Sequence, residues 1–225
     1  MDGQLTPMTI TLPESLLLVA IDDETGRIAS KSGALGYGLA GAVLTELLLN
    51  SRAAMVDGKV KVTDGSPMQD SVLDGALARI REAKAHDAKY WVRKLSGDHL
   101  QDSVLDRLIQ EGVLRREEHR LLWVIPADRY PAKDVLPERA VRQEVRGVVL
   151  QGATPQPRTA ALIGLLKACD LTGVVFDRDE RRQHKARIDE ISNGELMGKA
   201  VSKAVKEAQG AMAAVIAANA AVISS

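Results

Sequence analysis

The fold of this chain is decided by one stretch, Ser103-Val104-Leu105-Asp106-Arg107-Leu108-Ile109-Gln110-Glu111-Gly112-Val113-Leu114, and by the segment that follows it, Arg115-Arg116-Glu117-Glu118-His119-Arg120-Leu121-Leu122-Trp123-Val124-Ile125. Apolar residues recur at helical spacing up to Gly112, which stands where a helix needs a left-handed residue to end. Two short apolar runs then flank a polar tip at Glu117–His119, and this pattern predicts a tight two-stranded hairpin over residues 113–125. A helix that leads into a hairpin is typical of a winged helix on DNA, or of a hairpin that docks on a membrane or a partner protein.

Composition limits the class of protein. The 225 residues are 45% hydrophobic but only 3% aromatic, so the core must be built from Leu, Val, Ile and Ala. Lys+Arg and Asp+Glu both number 30, and a net charge of zero leaves only a local patch to attract nucleic acid or anionic lipid. Cys169 is the single cysteine, which excludes an internal disulfide, and the acidic start of the chain does not resemble a signal peptide. We therefore expect a cytoplasmic protein that at most binds the cytoplasmic face of a membrane peripherally.

The remaining sequence predicts a mainly α-helical fold. Apolar residues recur at helical spacing over residues 39–48, 72–80 and 159–171. The alternation of strands and helices that builds a doubly wound or barrel enzyme is missing from the pattern. An Asp57-Gly58 pair between two short apolar runs predicts a second, small hairpin with a type I′ turn.

Three segments divide the chain. We expect a flexible tail at residues 1–8, a single helical domain with a projecting hairpin at 9–198, and an Ala-rich C-terminal helix at 199–225. The leucines expected in the core of the helical domain are Leu44, Leu47, Leu73, Leu77, Leu108, Leu162 and Leu166.

The sequence contains no pattern of an enzyme or of a metal site. His86, His99, His119 and His184 lack ligand spacing to one another and to the cysteine. Cys169 lies in an apolar run, where we expect a buried thiol and not a nucleophile. The run Gly33–Gly38 lacks the Lys-Ser/Thr ending of a phosphate-binding loop, and we expect a close-packed turn into the next helix there. We therefore predict no enzymatic activity, no metal and no cofactor.

Charge is distributed unevenly along the chain. Residues 79–94 contain six bases, namely Arg79, Arg81, Lys84, Lys89, Arg93 and Lys94, against the acids Glu82 and Asp87. Tyr90 and Trp91 lie in the middle of this segment. Bases beside an amphipathic aromatic side chain suit binding to anionic head groups. The alternative is a solvated helix face with Trp91 packed inward.

Several motifs occur in the order of a known family. They are Leu12-Pro13-Glu14-Ser15-Leu16-Leu17-Leu18, the Ser32-Gly33 turn, Gly38-Leu39-Ala40-Gly41-Ala42-Val43-Leu44-Thr45-Glu46-Leu47, Asp70-Ser71-Val72-Leu73-Asp74-Gly75-Ala76-Leu77, Trp91 with Leu95-Ser96-Gly97, the Leu108–Leu114 segment with its hairpin, and Arg158-Thr159-Ala160-Ala161-Leu162-Ile163-Gly164-Leu165-Leu166-Lys167-Ala168-Cys169-Asp170-Leu171. With these motifs, residues 8–191 resemble the Golgi phosphoprotein 3 family. The resemblance implies one mainly α-helical domain with a projecting β-hairpin. It also implies a non-enzymatic peripheral protein, which in eukaryotes binds phosphatidylinositol 4-phosphate, packs glycosyltransferase tails for retrograde transport and contacts the coat.

The resemblance does not extend to the family's head-group site. Eukaryotic members use a Trp, an Arg in the following helix and two further Arg, and the corresponding positions here are Lys31, Ala40, Asp98 and Gln101. Since none of these positions keeps the family residue, we do not transfer the phosphoinositide site. The departures indicate a divergent member of the family, and we expect a bacterial source.

Three functions remain open from the sequence. The first is a membrane adaptor whose anionic phospholipid is contacted by Lys31, Arg93, Lys94 and Arg107. The second is a winged-helix binder of nucleic acid, which is disfavoured because the helix over 103–111 carries a single base. The third is an interaction module that binds a protein partner or a second copy through its hairpin. The hairpin contacts expected in the first and third cases are Arg115, Arg116, Arg120, Leu121, Leu122 and Trp123.

Overall fold

A computed structural model of the chain describes residues 10–29, 34–97, 99–121, 125–126, 128–194 and 199–223. The described elements follow in the order α1 (Leu12–Ala20), α2 (Ala34–Leu49), β1 (Ala53–Val56), β2 (Lys59–Val62), α3 (Ser71–Glu82), α4 (Ala88–Ser96), α5 (Leu100–Gln110), β3 (Arg120–Leu121), β4 (Ile125–Pro126), α6 (Leu136–Leu150), α7 (Pro157–Ala168), α8 (Thr172–Val175), α9 (Arg178–Gln183), α10 (Lys185–Ser192) and α11 (Lys199–Ile223). The prediction of a mainly α-helical protein with a β-hairpin is confirmed. The tail at 1–8 and the domain boundary expected at 198 lie outside the described residues.

Helix α2 lies at the centre of the molecule. Its sequence is apolar on every side, which is typical of a helix that is buried all round. The helices α1, α4, α7 and α11 pack against it. The leucines predicted for the core are all buried, namely Leu44, Leu47, Leu73, Leu77, Leu108, Leu162 and Leu166.

Two glycines let other elements come close to α2. A side-chain carbon built on Gly38 would lie 2.3 Å from the Sγ atom of Cys169, and one built on Gly41 would lie 2.8 Å from the Sδ atom of Met212. Met212 belongs to α11 and is fully buried, as is Val215 one turn later. Helix α11 packs on α2, and Gly41 leaves the room that Met212 occupies there.

We expect the substitution Gly41→Ala to destabilise the protein by about 1–3 kcal/mol, because Met212 must leave a well-packed position. Gly210→Ala is the matched control, since a carbon built on this α11 glycine meets nothing within 4 Å. That change should be neutral or stabilising by up to about 1 kcal/mol, as alanine is the better helix former. Urea denaturation followed by circular dichroism measures both effects, and equal effects would contradict the packing of α11 on α2.

The first hairpin confirms the turn predicted from the Asp57-Gly58 pair. The strands β1 and β2 pair antiparallel, from Ala53 opposite Val62 to Val56 opposite Lys59. Asp57 has a φ of 51° and Gly58 a φ of 72°. Positive φ at both central residues defines a type I′ turn, whose twist matches that of the flanking strands.

The second hairpin is present, but its tip does not lie where the sequence pattern placed it. Glu117 pairs with Arg129, and β3 pairs with β4 further along, so the ladder continues beyond His119. The predicted tip at Glu117–His119 is therefore wrong, and the second arm extends past residue 125 to Ala132, which pairs with Leu114. The physical reason is that residues 115–119 are exposed along one arm of the hairpin, so their polarity reflects contact with water and not a turn.

Candidate functional site

Helix α4 presents one face to the core and the opposite face to water. The Asp87 carboxylate caps its start by accepting a hydrogen bond from the Tyr90 backbone N–H at 2.8 Å. Trp91 is 2% exposed and, together with Val92 and Leu95, fixes the buried face. Trp91 therefore packs inward, as the alternative of a solvated helix face predicted, while Tyr90 stays 40% exposed.

The exposed face of α4 brings together two of the predicted site residues. Arg93 and Lys94 are both exposed in its last turn, and Lys89 is exposed near its start. None of the three forms a salt bridge with another described residue. Tyr90 is also exposed on this helix, and its ring stacks on that of His86 with centroids 3.7 Å apart. We call Lys89, Tyr90, Arg93 and Lys94 the α4 surface.

Arg107, the third predicted lipid contact that is described, does not join the α4 surface. Its Nε atom lies 2.8 Å from Glu14 Oε1 and 2.9 Å from Asp70 Oδ2. Its terminal nitrogen lies 2.5 Å from Glu111 Oε1. Burial alone would lower the pKa of Arg107, but the carboxylates of Asp70, Glu14 and Glu111 raise it above the usual value. The guanidinium is thus held inside the protein by three carboxylates, and Lys31 lies outside the described residues.

The hairpin arginines are also engaged within the protein. Arg115 lies 2.9 Å from Glu117, and Arg116 lies 2.8 Å from Asp106 while its guanidinium sits over the ring of Tyr130. All of these pairs are exposed at the arginine side, so water screens them. Arg120 and Leu121 belong to β3, but their side chains are not described, so their predicted contacts stay predictions. Leu122 and Trp123 lie outside the described residues.

Two of the four positions that correspond to the head-group site of the resembling family are described, namely Ala40 and Gln101. Ala40 is fully buried on α2 and offers no donor to a phosphate. Gln101 is half-buried on α5, and Asp98 lies outside the described residues. Ala40 faces the core, so its side chain is not accessible to a lipid head group.

A buried carboxyl group at the base of the second hairpin was not predicted from the sequence. Glu138 is 8% exposed and accepts a hydrogen bond from the Nε atom of Arg142 at 2.5 Å. Burial, followed by a hydrogen bond with Asp23, raises the pKa of Glu138 to about 7. A cavity of about 240 Å³ opens beside it, between α1, the hairpin base and α6. No local pattern could reveal this pair, because Asp23 and Glu138 are far apart in the chain.

Two further findings bear on the class of protein. Among the described residues, no group of three or more His, Cys, Asp and Glu side chains is arranged to hold a metal ion. None of the helices in this described part is both long and apolar enough to cross a membrane. Cys169 is buried as predicted, and burial raises its pKa to about 12.

Comparisons with known proteins identify the family. The model of the family described as Golgi phosphoprotein 3 (GPP34) matches residues 12–208. Vacuolar protein sorting-associated protein 74 of Eremothecium gossypii is 26% identical over 183 residues, which cover 68% of this chain and 55% of the relative. The protein of the same name from Schizosaccharomyces pombe is 22% identical over 164 residues, covering 62% of this chain and 48% of the relative. The chain spans about half the length of these curated relatives. Because the family model matches most of its residues, the chain belongs to the Golgi phosphoprotein 3 family.

Proposed function

We propose that this protein is a non-enzymatic peripheral adaptor that binds anionic phospholipid through the α4 surface. One observation carries the proposal: Lys89, Arg93 and Lys94 stand exposed and without a described salt-bridge partner on a helix whose other face is fixed in the core. A rigid helix that holds its cations in water can bring them to a charged surface without rearranging. Membership of the Golgi phosphoprotein 3 family supports a role at the cytoplasmic face of a membrane.

The strength of such binding follows from the number of cations that reach the lipid. Each Lys or Arg near an anionic membrane surface contributes about 1 kcal/mol, and salt screens this attraction over roughly 8–10 Å. The three cations of the α4 surface therefore support weak, reversible binding even though the net charge of the whole chain is zero. Exposed Tyr90 suits the head-group region, where amphipathic aromatic side chains are enriched.

We expect binding to follow total anionic charge more than the identity of the head group. The resemblance implies binding of phosphatidylinositol 4-phosphate by eukaryotic members, but Ala40 and Gln101 supply no cation at the corresponding positions here. The exposed cations of α4 lie on a convex helix face, which lacks the enclosing walls that would distinguish one head group from another.

A second candidate function rests on the projecting hairpin. Residues 115–119 are exposed along one arm, so the arm is free to contact a protein partner or a second copy of the chain. Nucleic acid is the least favoured ligand, because Arg107 of the expected recognition helix is held by buried carboxylates.

The double reversal Arg93→Glu and Lys94→Glu should weaken binding to vesicles of phosphatidylcholine and phosphatidylserine by about thirtyfold or more, since it removes two contacts of about 1 kcal/mol each. Co-sedimentation across a range of salt concentrations measures this. Arg178→Glu with Lys185→Glu on the exposed side of α9 and α10 is the control, because it changes the net charge equally.

The same assay includes two further arms. The neutral pair Arg93→Gln and Lys94→Gln removes the two positive charges without introducing negative charges at the end of α4. Circular dichroism checks that each variant is folded. Replacing phosphatidylserine by phosphatidylinositol 4-phosphate at equal total charge should change the binding little. If the glutamate and glutamine variants of Arg93 and Lys94 both bind as the wild type does, the α4 surface is not the contact. An equal loss of binding in the control on α9 and α10 would also rule it out.

A further inference from the structure

A second basic element lies beside the residues that lead into α4. The backbone N–H of Val60, in the middle of β2, donates to the carbonyl of His86 at 2.8 Å, two residues before α4 begins. The two segments pair antiparallel at this point. The antiparallel direction carries the chain from Val60 back through Lys59 toward Asp87 and the start of α4.

The alternation of β2 decides which of its side chains meet water. Val60 is 2% exposed and packs into the core, while its neighbours Lys59 and Lys61 are exposed. Successive side chains of a strand point to opposite faces, so burial of Val60 directs both lysines outward. Neither lysine forms a salt bridge with a described residue.

The first hairpin also offers an apolar residue beside these lysines. Val56, at the start of the turn, is 37% exposed, and Tyr90 of α4 is 40% exposed. Among the described residues, two other large apolar side chains are as exposed, Val135 just before α6 and Leu136 at its start. Asp57 and Asp87 lower the local positive charge, but the Asp87 carboxylate already caps α4.

We infer that the β1–β2 hairpin and the α4 surface form one continuous lipid-binding face, on which Lys59 and Lys61 contact anionic head groups and Val56 enters the head-group region beside Tyr90. This inference rests on the proposed function and extends it to a second element. Unpaired cations interspersed with exposed apolar and amphipathic side chains fit an anionic bilayer surface, which offers phosphate charge and an apolar boundary together. The type I′ turn holds Val56 in place without a flexible loop.

A fluorescent label at Val56 tests this directly. Cys169 is buried and its raised pKa of about 12 keeps it a thiol, so a cysteine introduced by Val56→Cys is the one that reacts with an environment-sensitive dye. On vesicles that contain phosphatidylserine, the dye at Val56→Cys should shift to the blue and brighten. The same dye at Gln183→Cys, on exposed α9, should not change.

Charge reversal of the strand provides the second measurement. Lys59→Glu with Lys61→Glu should weaken vesicle binding by about thirtyfold, as for two lost contacts on α4. The pair on α9 and α10, Arg178→Glu with Lys185→Glu, again serves as the control. Circular dichroism verifies the fold of each variant.

The outcomes separate this inference from the proposed function. If the wild-type chain binds the vesicles but the dye at position 56 stays unchanged and the strand reversal has no effect, the inference is wrong while the proposed function stands. If the wild-type chain does not bind anionic vesicles at all, both are wrong. A dye response to a polyuridylate strand but not to vesicles would overturn the lipid assignment in favour of nucleic acid.

Discussion

Replacing Arg107 by methionine is expected to destabilise the protein by about 3–5 kcal/mol, because removing one partner of a buried ion pair leaves the other charge uncompensated. Glu14 is 1% exposed and Asp70 is 4% exposed at their side chains, and both face the Arg107 guanidinium. Methionine keeps most of the volume of the arginine stem. The loss of stability therefore measures the removal of the positive charge and not the creation of a cavity. Burial, with the neighbouring Glu14, already raises the pKa of Glu111. Without the guanidinium the cluster should take up protons, so the destabilisation should be larger at about pH 8 than at about pH 5.

Arg116→Met is the matched control for this experiment. Arg116 also pairs with a carboxylate, that of Asp106, but the two side chains are 42% and 54% exposed. An exposed pair of this kind contributes about 0–1 kcal/mol, so the control should lose far less. Urea denaturation at the two pH values measures both. Arg107→Met should also keep its binding to anionic vesicles under conditions where it is folded. A small loss of stability with a large loss of vesicle binding would instead make Arg107 a lipid contact, as first expected.

The second large effect concerns pH and the buried carboxyl group at the hairpin base. The pKa of Glu138 is raised from 4.5 to about 7, so between these values the folded protein holds a proton that the unfolded chain has lost. Its contribution to stability is therefore complete below about pH 4.5 and is lost as the pH rises through about 7. Loss of this contribution should lower the free energy of unfolding by on the order of 3 kcal/mol. Asp22, Asp23, Arg139 and Arg142 line the same cavity as Glu138.

Glu138→Gln should remove this pH dependence. Glutamine resembles the protonated acid, so the variant should match the wild-type protein near pH 5 and exceed its stability near pH 8, by roughly the amount the wild type loses. Glu180→Gln is the contrasting control, because a hydrogen bond from Arg146 lowers the pKa of the half-buried Glu180. That variant should leave the decline between about pH 5 and 8 unchanged. A wild-type stability that is flat over this range would contradict the raised pKa of Glu138.

The sequence by itself determined the class of the fold, because its strongest signals are local. Apolar residues at helical spacing predicted the buried leucines of α2, α3, α5 and α7, and the structure confirms them. The Asp57-Gly58 pair predicted a type I′ turn, since few other residues tolerate positive φ at both positions. A helix followed by Gly112 predicted that a hairpin comes next, although not where it turns. In each case the residues that decide the outcome are close together in the chain.

Only the tertiary structure decided what the charged residues do. Arg107 looked like an exposed base on an amphipathic helix, yet its partner Glu14 lies 93 residues away and reaches it only when α1 packs on α5. Nothing in the local pattern connected Lys59 with α4, whereas the pairing of Val60 with His86 places β2 beside the residues that lead into this helix. The polar residues 117–119 marked an exposed arm and not a tip, because a projecting strand is solvated whether or not it turns. The secondary structure of a segment depends on the spacing of apolar residues along the sequence. Whether a charged side chain is paired depends instead on the groups that the fold brings within a few ångströms of it.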